Sequence, residues 1–298
     1  MTANVRGILL MCAAMAAFAV EDALIKLASA SVPAGQILAS IGLGGAAVFA
    51  AATLARGLRL RPDAAHARPL AARCLCEMVG TMGFVTALSL IPLSIASAIL
   101  QATPLVVTAG AALILGEAVG WRRWSAVVAG FAGMLLILRP AGAGFDPNAL
   151  WAVLGMAGLA ARDLVTRRMP AGLPTMVVAT WGFAAVAVLG LGMLAVSGGA
   201  VWPPPPLAAR QIAAATAIGL VAYWMIIEAT RCGDVSAIAP FRYTRLVFAL
   251  GLGFVVFAER PDAWTLGGAA LIIASGIYTV LRERARMRSA LPSDPPGR

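Results

Sequence analysis

The chain has 298 residues, 61% of them hydrophobic and 12% charged, against about 45–50% apolar and about 25% charged in an average soluble domain. A mean hydropathy of +0.89 with apolar runs near the ~20 residues that cross a bilayer argues against a soluble globular protein and excludes disorder, coiled coil and collagen. The net charge of +10 is not a nucleic-acid footprint, because the Lys and Arg cluster in the breaks between apolar runs.

Apolar runs bounded by charges, Pro or Gly predict ten helices, near residues 7–29, 34–55, 71–90, 93–115, 122–138, 148–166, 174–196, 209–230, 235–257 and 263–281. The first is kept as a span rather than a cleaved leader, since Glu21, Asp22 and Lys26 stand where a small-residue cleavage site belongs. With the N-terminus inside, sixteen Lys and Arg fall in cytoplasmic segments and only Arg139, Arg210 and Arg260 on the opposite face. This positive-inside bias predicts a multi-pass protein of the inner (plasma) membrane with both termini cytoplasmic. Cys12, Cys74, Cys76 and Cys232 then all lie toward the reducing side, and no disulfide framework is expected.

The spans divide into two fives. An offset of 142 residues lays Ser94 to Leu138 on Ser236 to Val280 without a gap and puts Glu117 on Glu259; an offset of 141 pairs Leu9, Met15, Ala16, Ala19 and Asp22 with Leu150, Met156, Ala157, Ala160 and Asp163. Five spans per half is an odd number, so the second half enters from the opposite side: an inverted repeat. The expected fold is therefore an all-α integral membrane protein of ten transmembrane helices, with repeats over residues 1–140 and 141–284 and a cytoplasmic tail over 285–298.

The segments "LIKLAS" and "VPAGQILAS", "PLSIASAILQATPLVVTAGAALILGEAVGWRRW" and "SAIAPFRYTRLVFALGLGFVVFAERPDAWTLGGAALIIASGIY" resemble the drug/metabolite transporter superfamily, specifically its EamA-type ten-helix members. The resemblance covers residues 7 to 283. It departs in the second span, where many relatives carry an Arg and this chain has Ile41, so no substrate contact is carried over there. What it implies is a secondary carrier working by alternating access, with a central cavity between the repeats and a small organic metabolite as substrate. Import or export, and coupling to H⁺ or to an exchanged metabolite, are left open, as are monomer and homodimer.

An ionisable group at bilayer depth costs at least ~2.5–3.5 kcal/mol, so each should face a cavity or a partner. Arg242 and Arg245 lie three apart on the ninth span with Tyr243 between them, and two guanidiniums on a cavity wall can clamp a carboxylate or phosphate. That favours a carboxylate-bearing anion or zwitterion, with Arg245, nearer the span midpoint, ranked ahead of Arg242. The alternative is that acidic residues on neighbouring helices neutralise both. Trp224 and Glu228 share a face of the eighth span with Tyr223 adjoining, which suits a flat or cationic group such as a nucleobase, an indole or an amine.

Asp22 and Lys26, four apart, predict a helix-stabilising pair that Asp163 and Arg167 repeat. Lys26 is also a substrate-binding candidate, and Glu77 in the third span is another. Glu21, Asp22 and Asp163, carboxylates in apolar surroundings, are candidates for proton coupling. Glu117 and Glu259 are expected to cap or tether helix ends. Pro104 falls inside the fourth span and permits a kink, Pro240 lies near the start of the ninth, and Gly155, Gly158, Gly251, Gly253, Gly267 and Gly268 read as helix contacts.

His66 is the sole histidine and falls in an Arg-rich loop, Cys74 and Cys76 lack zinc spacing, and no HExxH or P-loop occurs. No metal or cofactor is expected, and transport energy must come from gradients. A membrane-embedded lipid-handling protein or transferase is the alternative class, but it needs a nucleophile or metal cluster that the chain does not display, so no enzyme is expected.

Overall fold

A computed structural model describes residues 3–117, 119–140, 145–170, 172–197, 199–201, 203–232 and 235–290. Its elements are α1 (Ala3–Ala28), α2 (Ala34–Ala55), α3 (Ala64–Leu90), α4 (Leu93–Leu100), α5 (Thr103–Leu115), α6 (Trp121–Leu138), α7 (Ala149–Arg168), α8 (Thr175–Ser197), α9 (Pro206–Cys232), α10 (Val235–Ile238), a 3₁₀ turn (Ala239–Tyr243), α11 (Thr244–Phe257) and α12 (Ala263–Ala290). Among the described residues ten helical spans are long and apolar enough to cross a membrane, α4 with α5 forming the fourth and the 3₁₀ turn with α11 the ninth. Of the expected tail, α12 takes in residues up to Ala290, and residues 291–298 lie outside the described residues.

Hydropathy marks the apolar middles of the helices and misses their polar ends. The third span begins at Ala64 rather than near 71, because the Arg-rich stretch around Pro69 is a helical extension preceded by Asp63 at the N-cap position. The fourth and ninth spans are broken. Gln101 and Ala102 interrupt the fourth, so Pro104 sits in the first turn of a new helix, where its missing N–H costs nothing, and not in a helix interior. In the ninth, Pro240 lies in the 3₁₀ turn before α11.

Corresponding elements sit at a fixed spacing. An offset of 142 residues lays α3 on α9, and an offset of 141 lays the start of α2 on the start of α8. The two breaks also correspond: Thr103 Oγ1 donates to the Leu100 carbonyl, and Thr244 Oγ1, 141 residues on, donates to the Phe241 carbonyl at 2.6 Å. The turns after α5 and α11 match as well. Gly116 and Ala258 are both left-handed (φ 69° and 52°), and the next N–H reaches back six residues, Glu117 to the Ala111 carbonyl at 3.1 Å and Glu259 to the Gly253 carbonyl at 2.9 Å.

The main packing pairs are α2 with α8, α3 with α7, α1 with α9 and α6 with α12. Small residues set these distances. A Cβ on Gly158 would lie 2.5 Å from the Gly80 nitrogen, and one on Gly155 2.7 Å from the Phe84 nitrogen, so α7 and α3 cross backbone to backbone. Gly268 likewise meets the Gly133 carbonyl, and Gly253 faces Glu259, whereas Gly251 and Gly267 have open space beside them rather than a helix neighbour.

Consecutive spans alternate in direction, which gives the bundle a proximal end, carrying residue 3, and a distal end. The distal end is tied by contacts far apart in sequence. Lys26 Nζ donates to the carbonyls of Leu88 (3.0 Å) and Ile91 (2.5 Å), capping the C-terminus of α3. Glu259 accepts from the backbone N–H groups of Leu93 (2.6 Å) and Ser94 (3.0 Å), capping the start of α4. Gln36 and Val201 exchange two hydrogen bonds, and Arg139 pairs with Asp262. The Thr265 backbone N–H and then Arg139 hold the Asp262 carboxyl below its usual range, at about 2, so this tie stays ionised through ordinary acidity. At the proximal end the cross-links are looser: Arg6 to Glu228 at 3.8 Å and Arg167 to Glu117 at 3.3 Å.

Candidate functional site

The charges inside the spans gather into two groups. The first is built on α1 and α11. Asp22, 2% exposed, holds Arg245 through Nη2 at 2.7 and 2.8 Å and Nε at 3.1 Å, and the guanidinium lies over the rings of Phe18 and Phe84 at 5.2 and 5.6 Å. This is a buried fork with two aromatic rings beside the cation. Glu21 adjoins it but points elsewhere, as the 100° step of a helix requires. Its carboxylate lies against Gly219 of α9, makes no hydrogen bond or ion pair among the described residues, and feels the charges of Asp22 and Arg245.

The second group joins α3 and α7. Glu77 binds Arg73 at 2.9 Å and Arg162 at 2.8 Å, and Arg162 also binds Asp163 at 2.8 Å. Tyr223 of α9 stands beside it, within the fields of Arg73, Glu77 and Arg162, with its ring edge-on to Phe49 at 5.3 Å and Phe183 at 6.4 Å. Two arginines here match two carboxylates.

Arg242 is the remainder. Its backbone carbonyl accepts from Gln101 Nε2 at 3.1 Å, which joins the breaks of the fourth and ninth spans. Its guanidinium makes no hydrogen bond or ion pair among the described residues, although Asp163, Arg162 and Arg245 all act on it. It is exposed even so. It is thus a cation with charged neighbours on two elements, a free surface and no partner among the described residues. Glu21, half-buried and unpaired, has the same standing with the opposite sign.

The other expected residues are placed differently. Tyr243 is 4% exposed, with its hydroxyl buried against Gly276 and unpartnered among the described residues, so it packs on α12 and has little surface free for a ligand. Trp224, 60% exposed, shares an outward stripe of α9 with Val221 and Leu207 and is turned a helical step from Tyr223. Glu228 accepts from Cys232 at 3.7 Å and faces Arg6 at the proximal end, about 24 Å along α1 from Asp22 at 1.5 Å per residue. The expected pairs four apart are not made: Lys26 binds backbone carbonyls, Asp22 takes Arg245, Asp163 takes Arg162, and Arg167 takes Glu117. In each case a partner from another helix or the adjacent residue takes its place, buried for Asp22 and largely exposed for Arg167.

Arg73 and Arg162 are members that sequence reading did not assign to a site. Arg73 precedes Glu77 by four residues, a spacing that signals the pair, while nothing local links Arg162 to Glu77. Among the described residues no three His, Cys, Asp or Glu side chains come together as a metal-binding set.

The chain as a whole has relatives among known proteins. The model of the EamA-like transporter family matches the chain twice, over residues 5–139 and 147–281. An S-adenosylmethionine uptake transporter of Rickettsia bellii is 26% identical over 72% of this chain and 73% of its own, and a riboflavin transporter of Rhizobium johnstonii is 28% identical over 72% and 71%. A pseudopaline exporter of Pseudomonas aeruginosa is 27% identical over 91% of this chain and 94% of its own. A solved crystal structure superposes with a TM-score of 0.60 over 94% of this chain and 98% of its own at 23% identity, which marks a shared fold.

Proposed function

The chain belongs to the EamA-like transporter family, and from that premise we propose that it is a secondary transporter, not an enzyme, moving a carboxylate-bearing metabolite across the inner membrane by alternating access. The residue that carries the reading is Arg242: a guanidinium among the spans, without a counter-ion within pairing distance among the described residues, yet with free surface. A cation so placed costs energy unless something arrives to pair with it, and a carboxylate is what a guanidinium fork fits. Arg245, ranked first from position alone, is occupied by Asp22 and serves as the wall behind the site. Tyr223 and the Glu77–Arg162 pair supply the opposite wall.

The corresponding halves support an inverted repeat with the site between them, and the distribution of Lys and Arg supports termini on the cytoplasmic side. Asp22 and Asp163 are each held by an arginine, so Glu21 is the carboxylate left to exchange a proton with the medium. The reading is tested by thermal stabilisation of the purified protein against a metabolite panel, beside an Arg242→Ala variant. A ligand that binds at a hundred times its Kd adds about 2.7 kcal/mol to apparent stability. Stabilisation by carboxylate-bearing compounds that vanishes in the variant is expected. Stabilisation that survives unchanged sinks the assignment.

A further inference from the structure

A cavity of about 310 Å³ lies at the distal end, on the joint between the two halves of the chain. The first half walls it with the start of α4 and the end of α6, the second with the turn between α11 and α12. Pro92, Ile95, Ile137 and Pro261 give it an apolar lining. Four charged side chains also line it, and three of them are already engaged. Glu259 accepts from the Leu93 and Ser94 N–H groups, and Arg139 pairs with Asp262, which accepts from the Thr265 N–H at 2.9 Å as well. Arg260 is the fourth: it is exposed and makes no hydrogen bond or ion pair among the described residues. Arg242 is remote from here, since it precedes α11, whose 14 residues span about 21 Å, and Arg260 follows it.

We infer that this cavity is a second binding site, for a small organic carboxylate that carries one negative charge on a compact apolar body, and that its occupation holds the two halves together. The volume falls at the low end of the ~300–1,000 Å³ of small-molecule sites. The apolar lining takes the body, and Arg260 takes the carboxylate, the group a guanidinium fork fits. A neutral molecule of the same shape leaves Arg260 as it was. A dianion brings a second charge to face the carboxylates of Glu259 and Asp262 with no lining cation left to meet it. The position of the cavity supplies the second part of the inference, which rests on the transporter reading above. Pro92 and Ile95 belong to one half and Arg260 and Pro261 to the other, so a ligand that touches both walls binds only while they are joined. A carrier working by alternating access parts its halves at this end, and a ligand selective for the joined state opposes that step by its differential affinity. The cavity is then an inhibitory site for anions arriving from the distal side.

Benzoate is the probe, with benzamide as its neutral isostere and phenyl phosphate as the dianion. Binding to the full-length protein in phosphatidylcholine nanodiscs is read by saturation-transfer NMR, with the melting temperature of each empty variant as the folding control. An Arg242→Ala background is used beside the unaltered protein, so that the two anion sites are read apart. In that background benzoate should bind about tenfold or more tightly than either analogue, the factor expected of one charge-assisted hydrogen bond. Arg260→Gln should bring benzoate down to the level of benzamide, and Ile95→Phe, which fills the lining and keeps the charge, should weaken both. The joint is read by hydrogen exchange at the Leu93 and Ser94 amides, which open α4 without an intrahelical acceptor and are held by Glu259. At ten times its Kd, benzoate should slow their exchange about tenfold, the factor for a ligand that binds the joined state alone, and Arg260→Gln should remove the effect. Benzoate binding lost in Arg242→Ala but intact in Arg260→Gln overturns the cavity site and keeps the transport site. Unchanged exchange with benzoate bound overturns the hold on the joint. Complete loss of benzoate binding when phosphatidylglycerol replaces part of the phosphatidylcholine gives the cavity to a lipid phosphodiester and overturns the soluble carboxylate, as does the absence of binding at millimolar concentration.

Discussion

Arg242 and Arg245 are three residues apart, and only Arg245 is paired among the described residues. Arg245 is the partner of a 2% exposed carboxylate, and removing one member of a buried pair typically costs about 3–5 kcal/mol because the other is left charged without a counter-ion. Asp22→Ala should therefore lower the melting temperature sharply, while the double variant Asp22→Ala/Arg245→Leu should recover most of the loss. A double variant as unstable as the single one shows that the pair is not what holds α1 to α11. Arg242→Ala should change the melting temperature of the empty protein little, within about 0.5 kcal/mol, since it breaks no pair. The two arginines were legible in the sequence as costly charges in an apolar run, but their division of labour was not, because the residue that decides it, Asp22, lies 223 positions away. Trp224 shows the same limit on a smaller scale: adjacency to Tyr223 looks like a shared surface, whereas the 100° helical step sends one ring toward Phe49 and the other outward.

At the scale of the element, the ten spans follow from hydropathy alone, and the breaks within the fourth and ninth do not, since the mean over Leu93–Leu115 stays apolar whether or not its helix is continuous. The breaks depend on Thr103 and Thr244 hydroxyls taking carbonyls three residues back and on Gln101 reaching the Arg242 carbonyl. Their placement brings Arg242 onto a 3₁₀ turn and out of a regular helix face, and so explains why it is free when Arg245, on α11 itself, is not. The caps that follow carry a further consequence. Gly116 closes α5 in the left-handed region at no steric cost, while Ala258 closes α11 in the same conformation with a Cβ, which costs about 1–2 kcal/mol. Ala258→Gly should relieve part of that, raising stability by about 0.5–1 kcal/mol and the melting temperature with it, net of the added freedom of the unfolded chain. A lowered melting temperature would show that the alanine methyl is held by contacts worth more than the strain.

For the molecule as a whole, the two ends of the bundle are tied unequally. Distal contacts use buried or capping geometry: Lys26 on two carbonyls, Glu259 on two amides, and Gln36 with Val201. The proximal counterpart of Glu259 is Glu117, which meets Arg167 at 3.3 Å with both side chains more than two-fifths exposed, a contact of the kind that contributes little. Glu259 ties the end of the ninth span to the start of the fourth, one from each half of the chain, and on the transporter reading proposed above it acts as a latch. Losing a charged cap of this sort amounts to one or two kcal/mol, which shifts a two-state population by about 5–30-fold. Ser94, 1% exposed beneath that cap, is the place to read it. In a background with Cys12, Cys74, Cys76 and Cys232 replaced, Ser94→Cys in nanodiscs should react slowly with a bulky hydrophilic maleimide, and Glu259→Gln should speed the reaction by that factor. Because Asp262 keeps its charge down to about pH 2, the neighbouring Arg139 tie stays closed across pH 5–8 and does not mask the effect. Equal rates with and without Glu259 would mean that opening is governed elsewhere, and the asymmetry between the ends would then reflect packing and not a latch.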